Sequence, residues 1–151
     1  MAQESDIATN KTPVHLWIVG ILGLLWNLIG VTDYVMMRTR NEGYFRTIMP
    51  ALDIGAALAY MDSMSLLAGI GWALGVWGAL VGTLLLLARS RHAVLAYLVS
   101  LVGAVIAFIH QFTGPTPPAG MDDPVVPIIV TVIAAGLLLY ARAMRSRGVL
   151  R

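Results

Sequence analysis

The chain predicts an all-α polytopic membrane protein: a four-transmembrane-helix bundle with a short interfacial helix between the first and second spans. Three observations carry that expectation. Four apolar stretches of about twenty residues occupy 14–37, 65–88, 93–112 and 125–144; at 1.5 Å per residue each is long enough to cross a hydrocarbon core of roughly 30 Å as a helix. The composition, 58% hydrophobic against 12% charged with mean hydropathy +0.80, lies outside the range of soluble domains. Small residues also recur at helical spacing within the spans, the pattern expected where helices pack in lipid without a hydrophobic drive between them.

The elements divide the chain into a polar N-terminal segment (1–12), the four-span bundle (13–145) and a basic C-terminal tail (146–151). The first residues, with Gln3, Glu4 and Asp6, are polar and acidic and precede an apolar run longer than a signal-peptide core, so the first span is expected to stay as an anchor. In that span Gly20, Gly23, Asn27, Gly30 and Tyr34 share one stripe. Connection 38–64 is the longest. Within it 50–61 reads as a surface helix, with Pro50 at an opening position, Asp53 in the first turn, and Leu52, Ala56 and Ala59 on one face; an early extension of the second span is the alternative. The second span carries Gly71, Gly75, Gly78 and Gly82 at offsets of four, three and four, which predicts a tightly packed helix face, or alternatively a homodimer seam. Arg89-Ser90-Arg91-His92 is a tight turn that makes the second and third spans antiparallel neighbours. The third span places Ser100, Gly103, Ala104, Ala107 and Gln111 on one stripe. The loop from Gly114 to Gly120, with three prolines, breaks the helix before the fourth span.

The chain carries 10 Lys and Arg against 8 Asp and Glu, a net charge of only +2, and its basic residues sit beside the spans. That placement reads as membrane orientation and not as a nucleic-acid surface. With the N-terminus cytoplasmic, seven basic residues (Lys11, Arg89, Arg91, Arg142, Arg145, Arg147, Arg151) fall inside and three (Arg38, Arg40, Arg46) outside, which favours both termini in the cytoplasm. Glu42 and Asp53 are the candidates to offset the outer arginines. The absence of cysteine excludes thiol–disulfide chemistry, Cys-ligated zinc and iron–sulfur clusters.

Polar residues inside spans carry the functional hints, because burying them in lipid is costly. In this orientation Asn27, Asp33, Tyr34, Trp72, His110 and Gln111 lie at similar depth toward the outer face. They form a candidate polar vestibule in which Asp33 and His110 would act as a proton or ligand relay; the simpler reading leaves Asp33 wetted at the surface or bonded to a neighbouring helix. His15 and His92 sit at span ends as interfacial residues, where haem ligation would need them facing one another inside the bundle. Trp17, Trp26, Trp72, Trp77, Tyr97 and Tyr140 read first as an interfacial belt and packing. Tyr34 and Arg38, four apart, allow a cation–π clamp. Asp122 and Asp123 read as a solvated turn. No Ser–His–Asp order, metal-ligand cluster, phosphate loop or HExxH is present, so no catalytic residue, metal or cofactor is assigned and the chain is not expected to be an enzyme.

The strings LWNLIGVTDYVMMRTRNEGY, GVWGALVGTLLLLARSRHAV and LYARAMRSRGVLR resemble a family of small bacterial inner-membrane proteins with four spans, some of whose members carry the automatic name "sugar transporter". Trp26, Asn27, Gly30, Asp33 and Tyr34 match its W-N-x-x-G-x-x-D-Y pattern, followed by Thr39-Arg40-Asn41-Glu42; the segment 44–65 departs from the family's Thr-Pro-Glu-Gln helix start. The resemblance implies the four-span fold and a bacterial cytoplasmic membrane setting. The expected partners are the lipid bilayer and either a membrane protein complex or further copies of the chain, with no nucleic acid. The first functional expectation is a non-enzymatic accessory subunit or membrane factor acting through helix–helix association. The alternative is an oligomeric small-solute or proton-coupled carrier with the Asp33/His110 vestibule as its site, and a lipid- or quinone-binding enzyme ranks third.

Overall fold

A computed structural model describes residues 12–151, so expectations for the N-terminal segment 1–11 lie outside it. Six helices and no strand occur among the described residues: α1 (Val14–Arg38), α2 (Glu42–Ile48), α3 (Ile54–Ser63), α4 (Leu66–Leu87), α5 (Ala93–Thr113) and α6 (Val125–Ser146). The long helices α1, α4, α5 and α6 are long and apolar enough to cross a membrane. In each, only 22% of the most apolar stretch is buried by the rest of the protein, which leaves most of its surface for lipid. The protein is a multi-pass membrane protein.

Local chemistry sets the ends of the helices. Asn41 accepts a hydrogen bond from Tyr44 N (2.9 Å) to start α2, Asp53 from Ala56 N (3.1 Å) to start α3, and Ser65 from Ala68 N (3.2 Å) to start α4. Two turns need left-handed backbone at residues with side chains, Arg40 (φ 57°) after α1 and Arg89 (φ 58°) after α4; Gly148 (φ 69°) takes that role after α6 without strain.

The bundle is organised around the antiparallel pair α4 and α5. A Cβ added at Gly75 would lie 3.2 Å from Ala104 N, one at Gly78 3.1 Å from Ser100 Cα, and one at Gly82 2.7 Å from the Tyr97 ring. The four-glycine stripe is therefore an intramolecular seam occupied by α5 along its length, and the homodimer alternative for it does not hold. Backbones this close let Ser100 Oγ donate to Gly75 O across the seam (2.7 Å). From this pair α1 packs along α4 and α6 along α5. α1 and α6 come together at the end that carries residue 14, where His15 Nδ1 and Tyr140 OH share a hydrogen bond of 2.6 Å.

That end is closed by a core of Leu16, Leu86, Ala93, Tyr97, Leu138 and Met144 with Val149 and Leu150. The tail 146–151 is docked: Arg151 N donates to Arg89 O and Arg91 N to Arg151 O, both at 2.8 Å, so the tail pairs with the tight α4–α5 turn.

The opposite end carries the largest departure from expectation. The connection 38–64 forms two helices, not one. Glu42–Ile48 is helical because Asn41 caps it, and the expected helix over 50–61 begins only at Ile54, with Asp53 as its cap and Pro50 in the preceding turn. Its inward residue is Ala57, whereas Ala56 and Ala59 are exposed; Ala57 packs with Phe45 and Leu52 in a second small core. Charges pair differently as well. Arg40 binds Asp62, Glu42 pairs with Arg46 at 3.7 Å, and Asp53 is used as a cap.

Gly78→Val should push α4 from α5 and break the Ser100–Gly75 bond, at a cost of about 1–3 kcal/mol. Gly136→Ala, on the open face of α6 with nothing within 4 Å of the added carbon, should instead gain up to about 1 kcal/mol. Thermal unfolding in mild detergent distinguishes the two; equal midpoints would dismiss the seam as the organising contact.

Candidate functional site

A half-open cavity of about 560 Å³ lies between the four long helices, beneath the cap made by α2, α3 and the α5–α6 loop. It falls within the usual size range of small-molecule pockets, roughly 300–1,000 Å³. Its existence follows from the packing. α4 and α5 touch along their whole seam, but α1 and α6 meet mainly at the other end, so the space between them stays open near the cap. Gly30 of α1 lines this space with nothing within 4 Å of where a Cβ would stand.

Each long helix contributes to the walls. α1 supplies Trp26, Asp33 and Met37; α4 supplies Trp72 and Ala79; α5 supplies Ala107, His110 and Gln111; α6 supplies Val130 and Ala134. The cap closes over them with Tyr44, Met49, Tyr60 and Met61, and the α5–α6 loop adds Met121 and Asp123. Five of the chain's eight methionines (Met37, Met49, Met61, Met64 and Met121) line this one cavity, which makes its roof deformable, since an unbranched thioether refits easily around different shapes.

Five of the six vestibule residues line this cavity, in three distinct situations. Asn27 forms part of the floor and is committed to structure: its Nδ2 donates to Ala79 O (3.1 Å) and to Thr83 Oγ1 (2.7 Å), and Thr83 Oγ1 shares a further bond of 2.8 Å with Tyr97 OH. This buried relay ties α1 to α4 and α4 to α5. Asp33 Oδ1 accepts from Tyr44 OH at 3.1 Å, linking α1 to the cap. Burial first, and then the facing Asp33 carboxylate, push the Tyr44 phenol above its ordinary value, so Tyr44 keeps its proton and is the donor at neutral pH. Burial alone raises Tyr60.

His110 is the third situation. Its Nε2 is buried and has no hydrogen-bond partner among the described residues. Its ring lies against Gly114, where an added Cβ would stand 2.7 Å from His110 Cε1. Asp33 and His110 therefore share one cavity without a hydrogen bond between them, because Asp33 turns to Tyr44. Gln111 Nε2 donates to Met121 O (3.3 Å) and holds the loop over the end of α5.

Tyr34 stands outside the lining. Its ring meets Trp72 edge-on at 4.8 Å and Trp77 at 6.3 Å, bracing Trp72 from behind, so its aromatic partners are these tryptophans. His15 is engaged with Tyr140, and His92 with Ser90 Oγ at 3.2 Å; both stand at the end remote from the cavity. No group of three or more His, Cys, Asp or Glu able to hold a metal occurs among the described residues.

Sequence reasoning missed the cap: Tyr44, Tyr60 and the methionines. The available signal was the position of Met37, Met61, Met64 and Met121 in or beside the connections on the same side as Asp33. No family model matches the chain, and no curated protein or solved structure matches it either.

Thr83→Val should break the relay, leaving Asn27 with one acceptor and the Tyr97 hydroxyl unpaired in the core. The expected loss is about 1–2 kcal/mol. A double-mutant cycle with Asn27→Ala should show coupling of the same sign; strict additivity would mean that the relay does not join the helices.

Proposed function

We propose that this chain is a non-enzymatic membrane protein that holds a small molecule in the cavity beneath its cap, as the binding step of a small-solute carrier. The observation that carries the reading is the half-open cavity of about 560 Å³ itself, whose polar lining groups are largely satisfied within the fold. The alternative of an accessory subunit acting through helix association drew on the glycine stripe of α4, and α5 occupies that stripe.

The setting we propose is a bacterial cytoplasmic membrane with both termini inside and the cap outside. It rests on the resemblance of the first-span pattern and on seven basic residues against three. Pairing of Arg40 with Asp62 and of Arg46 with Glu42 at the capped end softens the positive charge that this end must carry outward.

Gly30 and Gly136 provide a matched test, since both are free of neighbours within 4 Å but only Gly30 lines the cavity. Protein purified in mild detergent from the membrane in which it is made should release a stoichiometric small molecule on denaturation, detected by mass spectrometry. Gly30→Phe should lack it and Gly136→Phe should keep it; identical extracts from both would sink the binding reading. For orientation, the natural chain has no cysteine. On intact cells an impermeant maleimide should label Thr116→Cys and reach Ser146→Cys only after permeabilisation, and the reverse pattern would invert the topology.

A further inference from the structure

The geometry points to a lipophilic cation, a hydrophobic amine or quaternary onium, as the molecule held in this cavity; the inference rests on the binding reading above and names its ligand class. Charge is the first observation. Among the described residues, the Asp, Glu, Lys or Arg residues on the lining are two carboxylates, Asp33 and Asp123, with no Lys or Arg. An anionic head would meet the half-buried Asp33 carboxylate, with the exposed Asp123 at the rim, whereas a cation meets opposite charge at both. This absence of lining Lys and Arg among the described residues is local, for the chain as a whole carries more Lys and Arg than Asp and Glu.

The aromatic content is the second. Trp26, Trp72, Tyr44, Tyr60 and Phe108 all line the space. Faces of such rings attract a diffuse positive charge, most strongly where water is scarce, and this is how quaternary ammonium groups are recognised in general. Trp72 is held in place by the edge-on ring of Tyr34, so at least this wall is preorganised.

The mouth is the third. Several lining residues are also well exposed: Trp26 and Ile29 on α1, Val126 and Val130 on α6. They lie on the two helices that lack a helix-length contact, and within the stretches long enough to span the membrane. The cavity thus opens sideways, through the α1–α6 gap, into the hydrocarbon region. A strongly hydrated solute would have to shed its water shell to pass this way, while an apolar molecule already dissolved in the bilayer enters directly. Its bulk would rest on the small-residue floor at Gly75, Ala104 and Ala134, with the charge toward Asp33 and the methionine roof adapting to its shape.

Three probes separate charge from shape: tetraphenylphosphonium, its size-matched anion tetraphenylborate, and neutral triphenylphosphine oxide. Each is equilibrated by dialysis with the protein in nanodiscs of zwitterionic lipid, with empty nanodiscs as the background. Saturable tetraphenylphosphonium binding is expected, lost in Gly30→Phe, retained in Gly136→Phe, and at least about tenfold tighter than binding of either other probe. Asp33→Asn should weaken it by about tenfold and Asp33→Glu should keep the preference for cation over anion, with unchanged thermal midpoints showing that both variants are folded. If Gly30-sensitive binding occurs with no preference for charge, or if Asp33→Asn leaves the affinity unaltered, the cation inference is overturned while the cavity remains a binding site. If no probe shows Gly30-sensitive binding, the inference is overturned outright, and the binding reading stands or falls by the co-purified molecule, whose detection does not depend on charge.

Discussion

In a bilayer the hydrocarbon is as apolar as the side chains it touches, so helices are held together by close packing and by polar groups with nowhere else to go. The α4–α5 seam is where this constraint acts most strongly. Gly71, Gly75, Gly78 and Gly82 remove the side chains that would hold the two backbones apart, and Gly103, Ala104 and Ser100 do the same on the facing helix. With that pair joined, α1 is fixed to it by Asn27, whose amide has Ala79 O and Thr83 Oγ1 as its partners. α6 then leans on α5, and the shared bond of His15 and Tyr140 closes the ring of helices at one end only.

The open space at the other end is a consequence of that order of contacts. Packing one helix against α4 and another against α5 does not oblige α1 and α6 to meet along their length, and small residues at Gly30, Ala107 and Ala134 leave the gap unfilled. The cap that covers it is held by a different set of forces: the Phe45, Leu52 and Ala57 cluster, the Arg40–Asp62 ion pair, and the Tyr44 hydroxyl on Asp33. Exposed ion pairs contribute little by themselves, so the small apolar cluster is the principal hold. A cap of this kind opens more readily than the seam beneath it.

Polar groups in the spans divide by whether the fold already satisfies them. Asn27, Thr83, Tyr97 and Ser100 bond to one another or to backbone across helices, and their role is to hold the bundle. His110 Nε2 does not. Burial without a partner is the unusual condition for a polar atom within a span.

The spans were legible in the amino-acid sequence because lipid demands about twenty apolar residues of any helix that crosses it, and the predicted limits differ from α1, α4, α5 and α6 by at most two residues. The glycine stripe was equally legible as a packed face, since offsets of four and three put every member on one side of a helix. Which helix filled that face was not, because small residues state only that something comes close. The cap was the least legible element: a polar connection with modest apolar periodicity does not reveal that Asn41 and Asp53 will each start a helix, or that Ala57 and not Ala56 turns inward. Sequence alone also placed Asp33 and His110 at one depth, a matter of counting along helices. Whether they would bond was a matter of rotation, decided when α2 brought Tyr44 to the Asp33 carboxylate and left His110 Nε2 without a hydrogen-bond partner among the described residues. Depth follows from the rise per residue and is written in the chain; partnership follows from how helices turn about their axes, and only packing settles that.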